Sequence, residues 1–285
     1  MNKQPAKGSS QPLSPLPEVD IMAFRATVYA TSRANPRQLP WRDTTDPYRI
    51  MVSEIMLQQT QAERVTGKFI EFVGQFPDVA ALAAADFSEV LRLWQGLGYN
   101  RRALALKRAA EMVVNRFDGT LPVNRKELVS LPGIGPYTAG AIMAFAFDLP
   151  ETFIETNIRS VYIHHFFQDR RGIHDRELLP LVEVTMDRCR PREWYNALMD
   201  YGVVLKRQEV NPSRKSAHHL RQTPFAGSNR QMRSALLRAI LAHPGIAVAD
   251  LTSRVSGEEG KVVLNLAKMV EEGLITCTGE NYFVS

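Results

Sequence analysis

The stretch that decides the fold is residues 131–147, LPGIGPYTAGAIMAFAF, in which a turn with two glycines leads directly into a helix of small residues. Glycine accepts a positive φ easily, so Gly133 and Gly135 let the backbone turn its amide groups outward. Pro136 suits the first position of a helix. Free amides at the positive end of a helix dipole favour an anion such as phosphate. The same pattern is also typical of an ordinary connection between two helices.

The composition indicates a globular protein with a modest preference for acidic partners. The 285 residues are 45% hydrophobic and 23% charged, and the formal net charge is +5. The basic residues form two groups along the chain: Arg101, Arg102, Lys107 and Arg108, and then Lys206, Arg207, Arg214, Lys215 and Arg221. Such groups indicate either a surface that binds nucleic acid or two solvated faces.

Cysteine usage and hydropathy narrow the class of protein further. The two cysteines, Cys189 and Cys277, are far apart, which argues against a disulfide scaffold and against a cysteine-held metal site. The sequence has no apolar run of transmembrane length and no signal-peptide pattern. We therefore expect no metal site, no association with a membrane and a cytoplasmic protein, associated with the nucleoid if its partner is DNA.

The chain divides into four parts by composition and periodicity. Residues 1–18 are rich in Pro, Ser and Gln and are predicted to be disordered. Residues 19–205 show helical periodicity and form the core. Residues 206–229 are basic, polar and aperiodic, which predicts a linker. Residues 230–285 contain three helical stretches and a terminal hairpin, the order of a winged helix.

Two glutamates are candidates for acid–base chemistry. Glu54 stands on the apolar side of a helix predicted over residues 49–62, where a carboxyl is costly to bury unless it is paired or its pKa is raised. A raised pKa is what a general acid needs. Glu155 begins a later helix and is free to approach Glu54 across a groove. The alternatives are a Glu54 side chain that reaches water and a Glu155 that only complements the helix dipole.

Two short segments are candidates for contacts with nucleic acid. Residues 58–61, QQTQ, are polar and would read base edges or bind the backbone, unless they are only a solvated helix end. Leu97 and Tyr99 lie on a glycine loop next to four basic residues. An apolar and an aromatic side chain in such a place would wedge or stack in nucleic acid, unless the loop is tucked onto the core.

Five segments, in their order and spacing, resemble the helix-hairpin-helix DNA glycosylases: LPWR at 39–42, DPYRIMVSEIMLQQTQ at 46–61, LRLWQGLGY at 91–99, LPGIGPYTAGAI at 131–142 and NALMDYG at 196–202. The branch that they resemble most removes adenine mispaired with 8-oxoguanine. The resemblance implies an all-α fold of two lobes with DNA across the groove between them. A six-helix barrel would cover residues 47–153, and the second lobe would join residues 19–46 to 154–205.

The resemblance also implies roles for single residues. Glu54 matches the family's catalytic acid, and Asn157 matches an active-site asparagine of the adenine branch. Tyr137 occupies the position where bifunctional relatives have a nucleophilic lysine, so the resemblance implies a monofunctional enzyme. Gln59 matches the residue that wedges into the duplex, and Tyr99 matches the one intercalated beside the lesion. The full set of predicted DNA contacts is Gln58, Gln59, Leu97, Tyr99, Gly133, Ile134, Gly135 and Thr138.

Three departures from the family pattern concern the site and the substrate. Glu155 stands where the family has an aspartate, and Thr156 stands where the adenine branch has glycine. A displacement of roughly an ångström at a reacting centre can cost about 10²-fold in rate. The four cysteines of the family's iron–sulfur cluster are missing and Lys206 stands at the first position, so the cluster is expected to be absent and a monovalent cation at the hairpin is allowed. The C-terminal unit does not resemble the domain that reads 8-oxoguanine.

The sequence therefore predicts a monomeric DNA N-glycosylase that acts on double-stranded DNA with a mispaired or damaged base. Glu54 would protonate the departing base, and Glu155 would stabilise the positive charge that develops on the sugar. Adenine opposite 8-oxoguanine or guanine is the favoured substrate. Two alternatives stay open: a glycosylase for thymine or uracil opposite guanine, and a catalytically inactive protein that binds DNA structures.

Overall fold

The computed structural model describes residues 17–208, 210–219, 224–255 and 258–285. These residues are mostly helical, which confirms the predicted all-α class. The predicted disordered tail, residues 1–18, lies outside the described residues except for Pro17 and Glu18, and helix α1 spans Glu18–Ala34. None of the helices in the described part of the chain is long and apolar enough to cross a membrane.

The first lobe is built from seven helices within residues 47–153, where six were expected. They are α2 (Pro47–Leu57), α3 (Ala62–Gln75), α4 (Val79–Ala84), α5 (Phe87–Trp94), α6 (Arg101–Arg116), α7 (Arg125–Ser130) and α8 (Pro136–Phe147). The helix that the sequence pattern did not reveal is the short α7. Its start is fixed by Asn124, whose side chain accepts hydrogen bonds from the amides of Lys126 and Glu127.

Helices α2 and α8 pack against each other in the centre of this lobe. Both are buried along almost their whole length, so neither shows the one-sided pattern of a surface helix. The small residues of α8 allow the predicted close packing. A Cβ atom added to Gly140 would lie only 3.0 Å from the Cβ atom of Phe153. The glycine therefore brings the chain after α8 directly against the helix.

The second lobe joins α1 to three later helices: α9 (Thr156–Phe166), α10 (Asp175–Thr185) and α11 (Pro191–Gln208). Phe24 of α1 packs on Tyr162 of α9 and on Trp194 of α11. Arg42 of the LPWR motif donates to both carboxylate oxygens of Asp200 in the NALMDYG motif, at 2.9 and 2.8 Å. This paired hydrogen bond fastens the loop before α2 to α11.

The predicted linker, residues 206–229, is partly a structured element of the second lobe. Helix α11 continues to Gln208, and a 3-10 helix at Pro212–Lys215 packs on α9. The side chain of Asn211 accepts a hydrogen bond from Ser160, and Ser216 pairs with Ile173. These contacts are made by single polar groups and backbone, so they leave no apolar periodicity in the sequence.

The C-terminal unit has the helix–strand–helix–helix–hairpin order of a winged helix. Its elements are α12 (Asn229–Ala242), β1 (Ile246–Ala247), α13 (Val248–Arg254), α14 (Glu259–Glu271), β2 (Ile275–Thr278) and β3 (Asn281–Val284). The three strands form an antiparallel sheet in the order β1-β3-β2. Within this unit, the sequence pattern did not predict the two-residue strand β1, because it is too short to show alternation.

Candidate active site

A cavity of about 450 Å³ opens between the two lobes. Glu54 of α2 and Tyr137 of α8 line it from the first lobe, and Glu155 and Asn157 line it from the start of α9. The four residues predicted to be catalytic are thus brought together around one space. The volume falls in the range of cavities that hold small organic ligands.

Glu54 has the surroundings of a carboxyl that keeps its proton near neutral pH. Its side chain is buried within α2, with only 4% of the residue exposed. Burial raises the pKa of Glu54 to about 7. The hydroxyl of Tyr137, which donates to Glu54 Oε2 at 3.0 Å, partly opposes this rise, and the charge of Glu155 adds to it. Glu54 is therefore not an edge residue that reaches water.

Glu155 is the N-cap of α9, and its longer side chain folds back onto the helix. Oε1 accepts hydrogen bonds from the amides of Asn157 at 2.5 Å and Ile158 at 2.8 Å. Oε2 accepts one from the side chain of Asn157 at 3.2 Å. The extra methylene, relative to the aspartate that the resemblance implies, is accommodated by this cap. Burial raises the pKa of Glu155, while Lys206 and the two amides oppose that rise.

Lys206 belongs to the site, although the sequence analysis placed it only in a basic group and at the first cysteine position of the family's cluster. Its Nζ donates to Asn157 Oδ1 at 2.6 Å and lines the same cavity. Gly202 stands one turn earlier on α11, and a Cβ atom there would lie 2.5 Å from the Cβ atom of Asn157. The spacing of Gly202 and Lys206, four residues apart on one face of α11, was the available signal. Gly202 lets α11 lie close to α9, and this brings Lys206 within hydrogen-bond distance of Asn157.

The hairpin between α7 and α8 differs from the prediction in two respects. Gly133 has φ +80 and a Cβ atom there would lie 2.9 Å from Ala105, whereas Gly135 has φ −88, so only the first glycine requires its freedom. The amide of Ile134 donates to the carbonyl of Leu131 inside the turn, so it does not belong to the predicted row of free amides. Gly133 and Gly135 are exposed, and the first amides of α8 have no partner within the helix.

Gln58 and Thr138 brace this hairpin, and their predicted role as direct DNA contacts stays a prediction. Gln58 Nε2 donates to the carbonyl of Gly133 at 3.1 Å and to the hydroxyl of Thr138 at 3.2 Å. Thr138 is buried. The two side chains connect the end of α2 to the turn, and their polar groups are engaged with each other.

The two residues predicted to enter the duplex share an unusual backbone conformation. Gln59 has φ +55 and Tyr99 has φ +49, a region that residues other than glycine rarely adopt and that is enriched at functional sites. The side chain of Gln59 is exposed and that of Tyr99 is half-buried. Leu97, by contrast, is only 3% exposed and packs in the core, as in the alternative of a loop tucked onto the core. Its insertion into DNA stays a prediction.

Arg102 holds the loops of Gln59 and Tyr99 together, although it was grouped with surface charges in the sequence. Its partly buried guanidinium donates to five carbonyls and one hydroxyl, which belong to Ile55, Met56, Gln58, Thr60, Leu97 and Gly98. Burial lowers the pKa of Arg102 to about 10. A guanidinium at the end of α2 satisfies carbonyls that a helix leaves without partners. Lys107 is also engaged internally, with the carbonyl of Ala83 and with Glu111.

Comparison with known proteins identifies the class. Residues 52–197, slightly more than half of the chain, match the family described as "HhH-GPD superfamily base excision DNA repair protein", and the chain belongs to this superfamily. It is 34% identical over 173 residues to the adenine DNA glycosylase of Buchnera aphidicola subsp. Baizongia pistaciae, covering 59% of this chain and 48% of that protein. It is 38% identical over 166 residues to the adenine DNA glycosylase of Mycobacterium tuberculosis, covering 56% and 52%. The chain thus spans about half the length of the curated relatives it matches.

Solved structures agree with this fold. A thermostable thymine-DNA glycosylase superposes with a TM-score of 0.58 at 27% identity, over 65% of this chain and 87% of that one. A trapped endonuclease III–DNA intermediate superposes with a TM-score of 0.53 at 18% identity, over 76% and 95%. The lower identity of the second supports the fold alone.

The residues present do not fit the iron–sulfur cluster that the resemblance implies for many relatives. Such a cluster takes four cysteine thiolates. The sequence has two cysteines, and both are exposed. Among the described residues, no group of three or more His, Cys, Asp or Glu side chains is arranged to hold a metal ion. The end of α11 is instead joined to α9 by the contact of Lys206 with Asn157.

Proposed function

We propose that this protein is a monofunctional DNA glycosylase, which hydrolyses the N-glycosidic bond of a mispaired base flipped into the cavity. The observation that carries the proposal is that Glu54 and Glu155, from different lobes, line one cavity of about 450 Å³. Adenine opposite 8-oxoguanine or guanine is the favoured substrate, because the two bacterial relatives compared above are adenine DNA glycosylases.

Glu54 is the general acid of the proposed reaction. Its pKa of about 7 keeps a large fraction protonated at neutral pH. The hydroxyl of Tyr137 donates to Oε2, which leaves Oε1 as the oxygen that carries the proton. That proton passes to a ring nitrogen of the base, and the electrons of the bond to the sugar leave with the base. The base thus departs neutral.

Glu155 stabilises the sugar after the bond weakens. Loss of the base leaves positive charge shared between the sugar's C1′ and its ring oxygen, and an ionised carboxylate beside the sugar stabilises that charge. A water molecule then adds its oxygen to C1′ and gives a proton to the Glu54 carboxylate, which restores the acid. The product is an abasic site. Acid, carboxylate and water supply every step, so the reaction needs no metal cofactor.

DNA is bound through its backbone and opened by two side chains. The exposed hairpin glycines and the first amides of α8 contact a phosphate, and basic surface residues make binding depend on salt. Gln59 and Tyr99 fill the space that the flipped nucleotide leaves in the stack. We propose that one monomer acts on one lesion in double-stranded DNA; a monovalent cation at the hairpin stays a prediction.

A second candidate is excision of thymine or uracil opposite guanine. The 27% identity to a thymine-DNA glycosylase over 87% of that chain favours it. The same two carboxylates would serve, since protonation of a pyrimidine oxygen also turns the base into a neutral leaving group. Base identity then depends on contacts made by the flipped base in the cavity.

The test is a single-turnover excision panel on duplexes with adenine opposite 8-oxoguanine or guanine, and with thymine or uracil opposite guanine. We expect the wild-type protein to excise adenine, and Glu54→Gln to lose at least about 10²-fold in rate, the lower end of what a positioned acid contributes. DNA binding by Glu54→Gln should be unchanged within about threefold, because the substitution is isosteric. Excision of thymine or uracil alone would select the second candidate. No excision from any duplex, with binding retained, would identify a DNA-structure-binding protein.

A further inference from the structure

Two carboxyl groups line one buried cavity, and they need opposite protonation states for the proposed reaction. Neighbouring carboxylates resist ionising together, which favours the state in which one of the two is protonated. Burial and the charge of the other glutamate raise the pKa of Glu54, and burial raises the pKa of Glu155 as well. The surroundings must therefore decide which of the two keeps the proton.

The two carboxyls differ in the charged groups that surround them. Glu54 has a neutral partner, the hydroxyl of Tyr137. Glu155 has two backbone amides at the start of α9 and the Lys206 ammonium beyond Asn157. Lys206 is the largest of the influences that lower the pKa of Glu155. The attraction is mutual, since Glu155 also opposes the fall that burial imposes on the pKa of Lys206.

Two other cations, one on α9 and one in the cavity wall, each lie beside a carboxylate. Arg159 of α9 forms a paired hydrogen bond with Asp175 of α10, at 2.8 and 2.7 Å. Arg37, which precedes α2, lies 4.0 Å from Asp200. Lys206 instead directs its Nζ to a neutral amide, the side chain of Asn157, which in turn donates to Glu155 Oε2. The charge of Lys206 is thus available to Glu155.

We infer that Lys206 is a positioning residue that orients Asn157 and keeps Glu155 ionised, so that Glu54 is the carboxyl that holds the proton. The inference rests on the proposed function, because it concerns which carboxyl of the same site is protonated. Lys206 acts through Asn157 and Glu155, and it takes no part in bond breaking. Lys206 lies in the cavity wall four residues after Gly202, at which α11 packs tightly against Asn157 of α9.

The experiment compares single-turnover excision from pH 4 to 9 in wild type, Lys206→Gln and Lys206→Met. The wild-type rate should fall above about pH 7 as Glu54 loses its proton, and at low pH as Glu155 gains one. Lys206→Gln retains a donor for Asn157 without the charge, and Lys206→Met removes both. For both variants we expect the acidic limb of the pH–rate profile, where Glu155 gains its proton, to move upward by about one pH unit or more. The maximal rate should fall about tenfold or more. Lys206→Arg, which keeps the charge, should return the acidic limb toward its wild-type position.

An acidic limb at the wild-type pH in both uncharged variants would overturn the inference, however much the rate falls. A simple phosphate contact predicts that outcome, together with a loss of about one from the slope of log affinity against log salt. Lys206→Gln carries the test if Lys206→Met does not fold. Failure of the proposed function looks different, because the wild-type protein itself would then excise no base at any pH.

Discussion

At the scale of the residue, the burial of Glu54 has two opposite effects. It gives the carboxyl the raised pKa that a general acid needs, and it lowers the stability of the folded protein as the pH rises. Its folded pKa of about 7 lies above the ordinary value of 4.5. The folded state therefore binds the proton more tightly than the unfolded state does. Stability from this group is complete below about pH 4.5 and is lost as the pH rises to about 7.

Glu54→Gln should abolish this pH dependence. A difference between 4.5 and about 7 corresponds to roughly 3 kcal/mol. The free energy of unfolding, measured with urea, should be similar for wild type and variant near pH 4.5, and higher for the variant by up to roughly 3 kcal/mol at pH 8. Glu271→Gln changes an exposed glutamate and serves as the control. Parallel curves for wild type and Glu54→Gln would contradict the burial of an ionisable group at this position.

At the scale of the element, helix crossings and loop clamps place the site residues. The crossing of α9 and α11 depends on Gly202, because a Cβ atom there would lie 2.5 Å from both the Cβ and carbonyl oxygen atoms of Asn157. The clamp around Arg102 joins the end of α2 to the loop before α6. Neither Gly202 nor Arg102 takes part in the proposed chemistry, yet each fixes the position of residues that do.

Gly202→Ala should separate α11 from α9 and displace Asn157. Overpacking of this kind costs about 1–3 kcal/mol, and the displacement should also lower the excision rate. Thermal melts and single-turnover rates check both effects. Gly67→Ala is the matched control, since a Cβ atom there meets nothing within 4 Å and alanine favours a helix interior. A Gly202→Ala protein with wild-type stability and rate would show that the crossing is not tight.

Arg102→Met should leave several buried carbonyls without donors, at about 1–3 kcal/mol for an unsatisfied group. The loops of Gln59 and Tyr99 should lose their fixed conformation, so excision should fall more than DNA binding does. Arg101→Met is the matched control, because that neighbouring side chain is 73% exposed. Equal losses in the two variants would indicate that Arg102 acts mainly as one more surface charge.

At the scale of the whole molecule, the C-terminal unit lies next to the loop that is proposed to enter DNA. Arg230 of α12 donates to the Tyr99 hydroxyl at 3.2 Å, and its guanidinium carbon lies 5.7 Å from the centre of the Tyr99 ring. A Cβ atom on Gly273 would lie 2.9 Å from the guanidinium of Arg108 in α6. The winged-helix unit is therefore packed on the same side of the core as Tyr99.

The fold class and the meeting of Glu54 with Glu155 could be predicted from the sequence, because both follow from motifs whose order and spacing are specific. The roles of Arg102, Gln58 and Lys206 could not, since each depends on where a distant carbonyl or amide lies in space. The burial of Leu97 could not be decided either, because a loop sequence does not say which side chain turns inward. The structured part of residues 206–229 was hidden because its contacts are polar and aperiodic.

The central claim is that carboxyls from two lobes act on one flipped nucleotide. The most direct test is a crystal structure of the full chain with a mismatched duplex whose target nucleotide carries a 2′-fluoro group that prevents cleavage. We expect the target base in the cavity, with a ring nitrogen within about 2.6–3.2 Å of Glu54 and the sugar facing Glu155. A base that stays stacked in the duplex, or one held where neither carboxyl can reach it, would contradict the account.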